Sequence, residues 1–421
     1  MILRDYQERI ANECAGKLAK YRLCYLAMEV RTGKTLTSLA AAEKYGATNV
    51  LFLTKKKAIG SIEDDYNNFG FNFDLTVINN ESMHKVRGKF DLIISDEHHR
   101  NSAFPKPNKG AKYINERWGS LPMIFLSGTP FPESYSQVYH SYWVSNFSPF
   151  CDYRNFYAWA KDYVQVTQQR RAGGFLVNDY SKGIESKILP IIKNTMITYS
   201  QKQSGFKSEV KERFLTCPMR ASTSRLIDLL KKDSVVEGEA GVILAATDLA
   251  LMQKTHQLCS GTVVLEGGNR VVVDDSKAWF IKEKFKGKKI GIFYNFKAEY
   301  DMLKQVYGDD LCDNLEDFNG SSRNIALQIV SGREGISLRE ADYVVYFNIA
   351  FSAVSYWQSR DRMTTKNRLV NEVYWIFSDI GFEKRVYKAV AAKKDYTLSL
   401  FRSEVPRGTK KEIHQRRLFG D

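Results

Sequence analysis

The chain has no CxxC pair and no grouping of cysteine and histidine at the spacing of a zinc site, which excludes the common structural zinc modules. Its six cysteines, Cys14, Cys24, Cys151, Cys217, Cys259 and Cys312, are scattered and read as small buried hydrophobes of a reducing compartment. No stretch approaches the roughly 18 uninterrupted apolar residues of a membrane span. The N-terminus runs straight into Ile2-Leu3-Arg4-Asp5-Tyr6-Gln7 without the apolar core of a signal peptide, so no membrane partner is expected and the expected location is cytoplasmic. Repeats, low-complexity tracts and a nuclease motif are also missing. What is present is bulk and positive charge. The 421 residues are 43% hydrophobic, enough for the cores of about two or three domains and too much for a disordered or fibrous chain. Lysine and arginine outnumber the acids by 62 to 48, a formal charge of +14 that favours a polyanionic partner.

Short apolar runs alternate with longer amphipathic stretches, the pattern of parallel sheets with crossover helices. The runs Cys24 to Ala27, Val50 to Thr54, Leu92 to Ser95 and Met123 to Ser127 predict one sheet; Ile290 to Tyr294, Ile325 to Val330, Val344 to Phe347 and Val373 to Phe377 predict a second. Between them the pattern breaks. Tyr135 to Tyr163 is rich in aromatics at helical spacing and reads as helices packed beside the first sheet, although base-stacking platforms use aromatics too. Arg170 to Gly174 reads as a basic turn, Ser222 to Lys232 as an amphipathic helix, and Val263 to Val273 as two β runs around a Gly-Gly-Asn turn. The tail from Val405 to Asp421 has five basic residues against two acids; it suits a phosphate backbone or a solvated terminus equally.

Two segments carry chemistry. Met28 to Thr35, MEVRTGKT, lies between an apolar run and an Ala/Leu-rich helical stretch. That strand–loop–helix setting aims backbone N–H groups and a helix N-terminus at phosphates. Arg31, Thr32, Gly33, Lys34 and Thr35 are therefore candidate ATP-binding residues, with Lys34 on the β and γ phosphates and the Thr35 hydroxyl on Mg²⁺. Met28 stands where the usual pattern has glycine, and Arg31 where many motors have a second one. The other segment is the buried strand ending in Asp96-Glu97-His98-His99, where open α/β sheets place ligands. Asp96 suits Mg²⁺, and Glu97 the orientation and deprotonation of an attacking water.

Together these segments resemble a superfamily 2 helicase with a DEHH form of the DEAD-like box, and within that superfamily the Swi/Snf-like branch of DNA translocases. The likeness reaches most of the chain, whose compactness is similar to that of phage-encoded motors. Leu3-Arg4-Asp5-Tyr6-Gln7 is similar to the adenine-reading motif, which implies that Gln7 binds the base. Leu51 to Lys55 resembles a motif gripping the nucleic-acid backbone, implying a role for Thr54 and Lys55; Leu126-Ser127-Gly128-Thr129-Pro130 resembles the motif coupling hydrolysis to domain movement, in the SGTP form of translocases. Lys289 to Phe296, with Asn295, resembles the opening strand of the second domain, and Ser331 to Leu338, with Gly335, the Gly-rich motif facing ATP and nucleic acid. Gln358 to Arg362 resembles the start of the arginine-finger motif, implying that Arg362 meets the γ-phosphate. The family's second finger arginine falls at Thr365, so either Arg362 acts alone or Arg360, Lys366 or Arg368 substitutes; Asn348 stands where many relatives have aspartate.

The resemblance implies an α/β fold of two RecA-like parallel-sheet domains in tandem with a helical insertion between them. The expected boundaries are 1–134 for the first domain, 135–275 for the insertion and linker with its hairpin, 276–404 for the second domain and 405–421 for the basic tail. The expected activity is that of a nucleic-acid motor with ATP and Mg²⁺ between the domains, acting on duplex DNA. Single-stranded DNA or RNA unwinding, a nucleic-acid-binding protein with a weakened ATPase, and the motor subunit of a restriction or defence assembly stay open. Cutting would need a nuclease partner.

Overall fold

The computed structural model describes residues 2–170, 176–205, 209–329, 338–352, 355–356, 359 and 370–392. Its contacts divide the chain into two units, Met1–Phe206 and Lys207–Asp421. The first runs α1 (Asp5–Tyr21), β1 (Leu23–Met28), α2 (Lys34–Tyr45), β2 (Asn49–Thr54), α3 (Ile59–Phe69), β3 (Asp74–Asn79), β4 (Leu92–Ser95), α4 (Lys109–Trp118), β5 (Met123–Leu126), α5 (Val138–Trp143), α6 (Phe156–Tyr163), β6 (Thr167–Arg170), β7 (Leu176–Asp179), α7 (Glu185–Ile192) and β8 (Met196–Tyr199). Six of these strands form one sheet in the order β3-β2-β4-β5-β1-β8, parallel throughout.

The continuous apolar runs are explained by burial on both faces. Successive strand residues point to opposite sides, so Cys24, Leu26, Val50, Phe52, Leu92 and Ile94 enter one core with α1 and α2, while Tyr25, Leu51, Leu53, Ile93 and Phe125 enter the other with α4 to α7. The aromatic segment belongs to that second core: Tyr139, Tyr142, Phe150, Phe156 and Trp159 are buried, and only Tyr157 among these neighbours has a well-exposed ring. These rings are packing, not a stacking platform.

The second unit runs β9 (Glu209–Cys217), α8 (Ala221–Asp233), β10 (Val235–Gly238), β11 (Gly241–Leu244), α9 (Asp248–Leu258), β12 (Thr262–Val264), β13 (Arg270–Val272), α10 (Ser276–Lys284), β14 (Ile290–Tyr294), α11 (Lys297–Tyr307), β15 (Leu311–Cys312), α12 (Leu315–Gly320), β16 (Asn324–Gln328), β17 (Tyr343–Tyr346) and β18 (Val370–Ser378), then a helix over Phe382–Ala391. Its sheet has the order β15-β16-β14-β17-β18-β9, again parallel. Two parallel six-stranded sheets, each with its own core, make the α/β fold anticipated from the sequence. Residues 135–275 contain helices, and they also supply each sheet with one of its two edge strands. β8 lies beside β1, and β9 pairs with β18 from Val370↔Glu209 to Ser378↔Cys217. The charged spelling of β9, Glu209-Val210-Lys211-Glu212-Arg213, hides it from a hydrophobic count because an edge strand keeps much of its surface in water. The runs around Gly267-Gly268 pair as an antiparallel hairpin, with both glycines at positive φ (+89° and +91°).

At the C-terminal ends of β14 and β17 a polar network is sealed inside the second unit. Glu299 is fully buried; its Oε2 accepts from the backbone N–H groups of Asn295 (2.7 Å) and Phe296 (2.9 Å), and its Oε1 accepts from Asn348 Nδ2. Asn348 Oδ1 in turn accepts from His256 Nε2–H at 2.8 Å and from the backbone N–H of Ile349 at 2.7 Å. The departure at position 348 thus has a physical reason: an amide donates to Glu299, whereas a carboxylate would repel it in a low-dielectric site. Burial already pushes the Glu299 carboxyl up. Asn348→Asp should therefore destabilise the protein by about 1–3 kcal/mol at neutral pH, and the loss relative to wild type should shrink on acidification, as one carboxyl of the new pair takes up a proton. Urea unfolding of both proteins at several pH values measures this; a loss independent of pH would contradict it.

Candidate active site

The loop joining β1 to α2 is shaped by two left-handed residues, Arg31 at φ +63° and Gly33 at φ +76°. Met28, where a glycine was missed, is the last residue of β1 and is fully buried in the apolar core, so it belongs to the strand. Arg31 holds a conformation that glycine adopts without strain. At Gly33 a substitution is strained by the positive φ and would push the Gln7 amide aside, since an added Cβ would stand 2.3 Å from Gln7 Nε2. That contact exists because the start of α1 lies on the loop. Gln7 Oε1 accepts from the Arg4 N–H at 3.0 Å, Gln7 Nε2 donates to Gly33 O at 3.4 Å, and the Tyr6 hydroxyl donates to Thr32 O at 3.0 Å. Thr32 itself is buried and turns back on Glu29 O at 2.7 Å. No side chain caps the first turn of α2, which leaves a helix N-terminus suited to an anion.

The acids come from the end of β4. Asp96 N–H donates to Leu53 O at 2.9 Å, and the fully buried Thr54 donates its hydroxyl to Asp96 Oδ2 at 3.0 Å. Asp96 Oδ1 is enclosed and has no hydrogen-bond partner among the described residues. Burial pushes the Asp96 carboxyl up, the neighbouring Glu97 charge adds to this, and Lys34 opposes it. Glu97 sits at φ +47°, a left-handed position that turns its side chain back toward the loop. Its Oε1 is 3.6 Å from Lys34 Nζ and its Oε2 is 3.3 Å from His99 Nδ1. His99 Nδ1 is also 3.0 Å from Ser127 Oγ, which accepts from the Thr129 N–H at 3.1 Å. The strand order β4-β5-β1 is what allows this: β5 lies between the two chemical strands and delivers Ser127, Gly128 and Thr129 between the acids and the loop. Gly128 comes so close that an added Cβ would touch Val30 at 3.4 Å.

His98 has a different task. Its ring stacks on Phe125 with centroids 3.6 Å apart, the Ser95 hydroxyl donates to Nδ1 at 2.9 Å, and Nε2–H donates to Ser141 O at 2.8 Å. It is a buried bolt between β4 and α5, held neutral by desolvation, with its pKa lowered to about 3.

Gln7, Arg31, Thr32, Gly33, Lys34, Thr35, Thr54, Asp96 and Glu97 thus lie around one edge of the first sheet. Lys55 follows β2 at that same edge, partly exposed. Asn295 lies in the second unit, where its backbone is bound to Glu299 and to Gln328. Ser331, Gly335 and Arg362 lie outside the described residues, as do Arg360, Lys366 and Arg368. Reading the sequence left His99, Glu29 and Tyr6 without a task, and the doubled histidine was the one visible signal.

No family model and no curated protein matches the chain. Solved structures do. It is similar to the Sulfolobus solfataricus SWI2/SNF2 ATPase core in complex with dsDNA, at 15% identity and a TM-score of 0.41, over 96% of this chain and 93% of that one. The SWI2/SNF2 ATPase core domain of the same organism matches at 15% identity and 0.41, over 97% and 95%. The likeness is remote, and the chemistry rests on the residues above.

A histidine of ordinary pKa, about 6.5, is protonated in the unfolded chain at pH values where folded His98 stays neutral. Its burial therefore costs nothing above neutrality and lowers stability as pH falls below about 6.5, by about 1.4 kcal/mol per pH unit down toward its folded pKa. Urea unfolding between pH 7.5 and 4.5 should show this slope reduced by about one such contribution in His98→Gln. An unchanged slope would count against the neutral bolt.

Proposed function

We propose that the chain is an ATP-driven nucleic-acid motor, with double-stranded DNA as its preferred track. The observation that carries this reading is the approach of Lys34 and Glu97 to 3.6 Å beside the unpartnered Asp96 oxygen. A phosphate-binding cation, a general base and a cation ligand then share one strand edge. ATP phosphates lie on the loop and the α2 N-terminus, with the adenine near Gln7. Lys34 exchanges Glu97 for the β and γ phosphates, and Glu97, its other oxygen held beside His99, orients the attacking water. The Thr35 hydroxyl has no hydrogen bond among the described residues, and with Asp96 it would hold Mg²⁺, which offsets the charge developing on the phosphates. His99 and Ser127 tie the state of Glu97 to residues 127–130, the segment resembling the coupling motif. The family resemblance assigns Arg362 to the γ-phosphate and Gly335 to the Gly-rich loop, and both assignments are part of the proposal. The net charge of +14 suits a phosphate backbone read without regard to sequence. Thr54, buried on Asp96, is better suited to holding that carboxylate than to touching the track; Lys55, Asn295 and Ser331 remain the proposed contacts.

The test is ATP hydrolysis without polymer and with single-stranded DNA, duplex DNA or RNA, in wild type and Glu97→Gln. Duplex DNA should stimulate wild type most, and the substitution should lower the rate by about 10²–10⁴ while nucleotide binding persists. If no polymer lifts wild type above the variant, the motor reading fails. Stimulation by RNA alone would replace DNA as the track.

A further inference from the structure

The chain leaving β8 is fastened to the phosphate loop along the loop's length. Glu29 N–H donates to Tyr199 O at 2.9 Å, Gln201 N–H donates to Glu29 Oε2 at 2.7 Å, and Gln201 Nε2 donates to Val30 O at 2.9 Å. The Tyr199 ring stacks on Tyr6 at 4.8 Å, and Tyr6 is the residue whose hydroxyl holds Thr32 O. Two consecutive loop positions, Glu29 and Val30, and the carbonyl of Thr32 are therefore held, directly or through one ring, by Tyr199 and Gln201 of a single segment.

That segment is also bound to itself. Gln203 Oε1 accepts from the Ser200 N–H (2.8 Å) and hydroxyl (3.0 Å), the Tyr199 hydroxyl donates to Gln203 O (2.9 Å), and Ser204 donates to Ser200 O through its N–H (3.2 Å) and its hydroxyl (3.1 Å). A knotted turn of this kind passes on a displacement where a slack linker would absorb it. Its place in the chain is the important one. Residues 199–205 are the last described residues of the first unit, and Glu209 opens β9 of the second. The covalent path between the two units thus begins at the phosphate loop.

We infer that residues 199–205 form a strap that reports nucleotide occupancy of the loop to the second unit, with Gln201 and Glu29 as its positioning residues; this rests on the ATP reading above. Phosphate binding at such a loop reorients its peptide groups, and Val30 O and Glu29 N–H are peptide groups that the strap holds. The strap is bound to the loop by hydrogen bonds, and the chain runs on from it toward the second unit. It also explains an acid in the loop: Glu29 repels phosphate but anchors the Gln201 N–H.

The test is hydrogen exchange on the full chain with and without Mg²⁺ and a non-hydrolysable ATP analogue, in wild type and the near-isosteric Gln201→Glu, whose fold is checked by circular dichroism; Gln201→Ala serves if that variant does not fold. In wild type the analogue should slow exchange about threefold or more in both 28–35 and 196–205. In the variant the loop should stay protected and the strap should not. DNA stimulation of hydrolysis should then fall at least about fivefold while KM for ATP moves by less than about threefold. Protection of the loop without the strap in wild type, or full stimulation in the variant, overturns the strap and leaves the ATP site standing. Protection of neither segment overturns the ATP reading and the strap with it.

Discussion

A strand covered on both faces can present chemistry only at its ends. Every central strand of the first sheet is in that position, since α1 and α2 cover one side and α4 to α7 the other. The polar side chains that matter therefore collect where β1, β5 and β4 stop, and their spacing is set by the fixed separation of parallel strands. Lys34 and Glu97, far apart in the chain, come to 3.6 Å because one strand, β5, lies between theirs. Its own end fills the gap with Ser127 and Gly128. The closeness of Gly128 to Val30 is a consequence of this layering.

Around that edge the protein uses neutral and charged polar groups differently. His98 is buried and neutral, a hydrogen-bonded wedge between layers. His99, one residue on, stands beside Glu97 and Ser127 at the surface of the site. The second unit solves a similar problem with Glu299, Asn348 and His256, where each polar atom facing the core has a partner of the right sign. In both units the strand-end loops are fixed from below by buried hydrogen bonds. Within the Asp96 carboxylate one oxygen is held by Thr54, and the other is enclosed without a hydrogen-bond partner among the described residues.

Much of this was legible in the chain. Leu92 to Ser95 and Ile290 to Tyr294 coincide with β4 and β14, because continuous apolar runs of that length are stable only as strands buried on both faces. The loop MEVRTGKT and the pair Asp96-Glu97 were visible for the same reason: they follow such runs directly. β8 and β9 were not visible. β9 keeps polar residues as an edge strand, β8 is only four residues long, and the pairing partner of each, β18 or β1, lies far away in sequence.

The sequence by itself therefore determined which strands are central, which loops end them and which residues those loops carry, since local burial patterns are written in local composition. Only the tertiary structure decided that Thr54 serves Asp96, that Met28 belongs to the core, that Asn348 must donate to Glu299, and that Gln201 reaches back to Glu29 and Val30. Each of those is a contact between distant segments whose geometry depends on strand order, and strand order has no signature within any one stretch of chain.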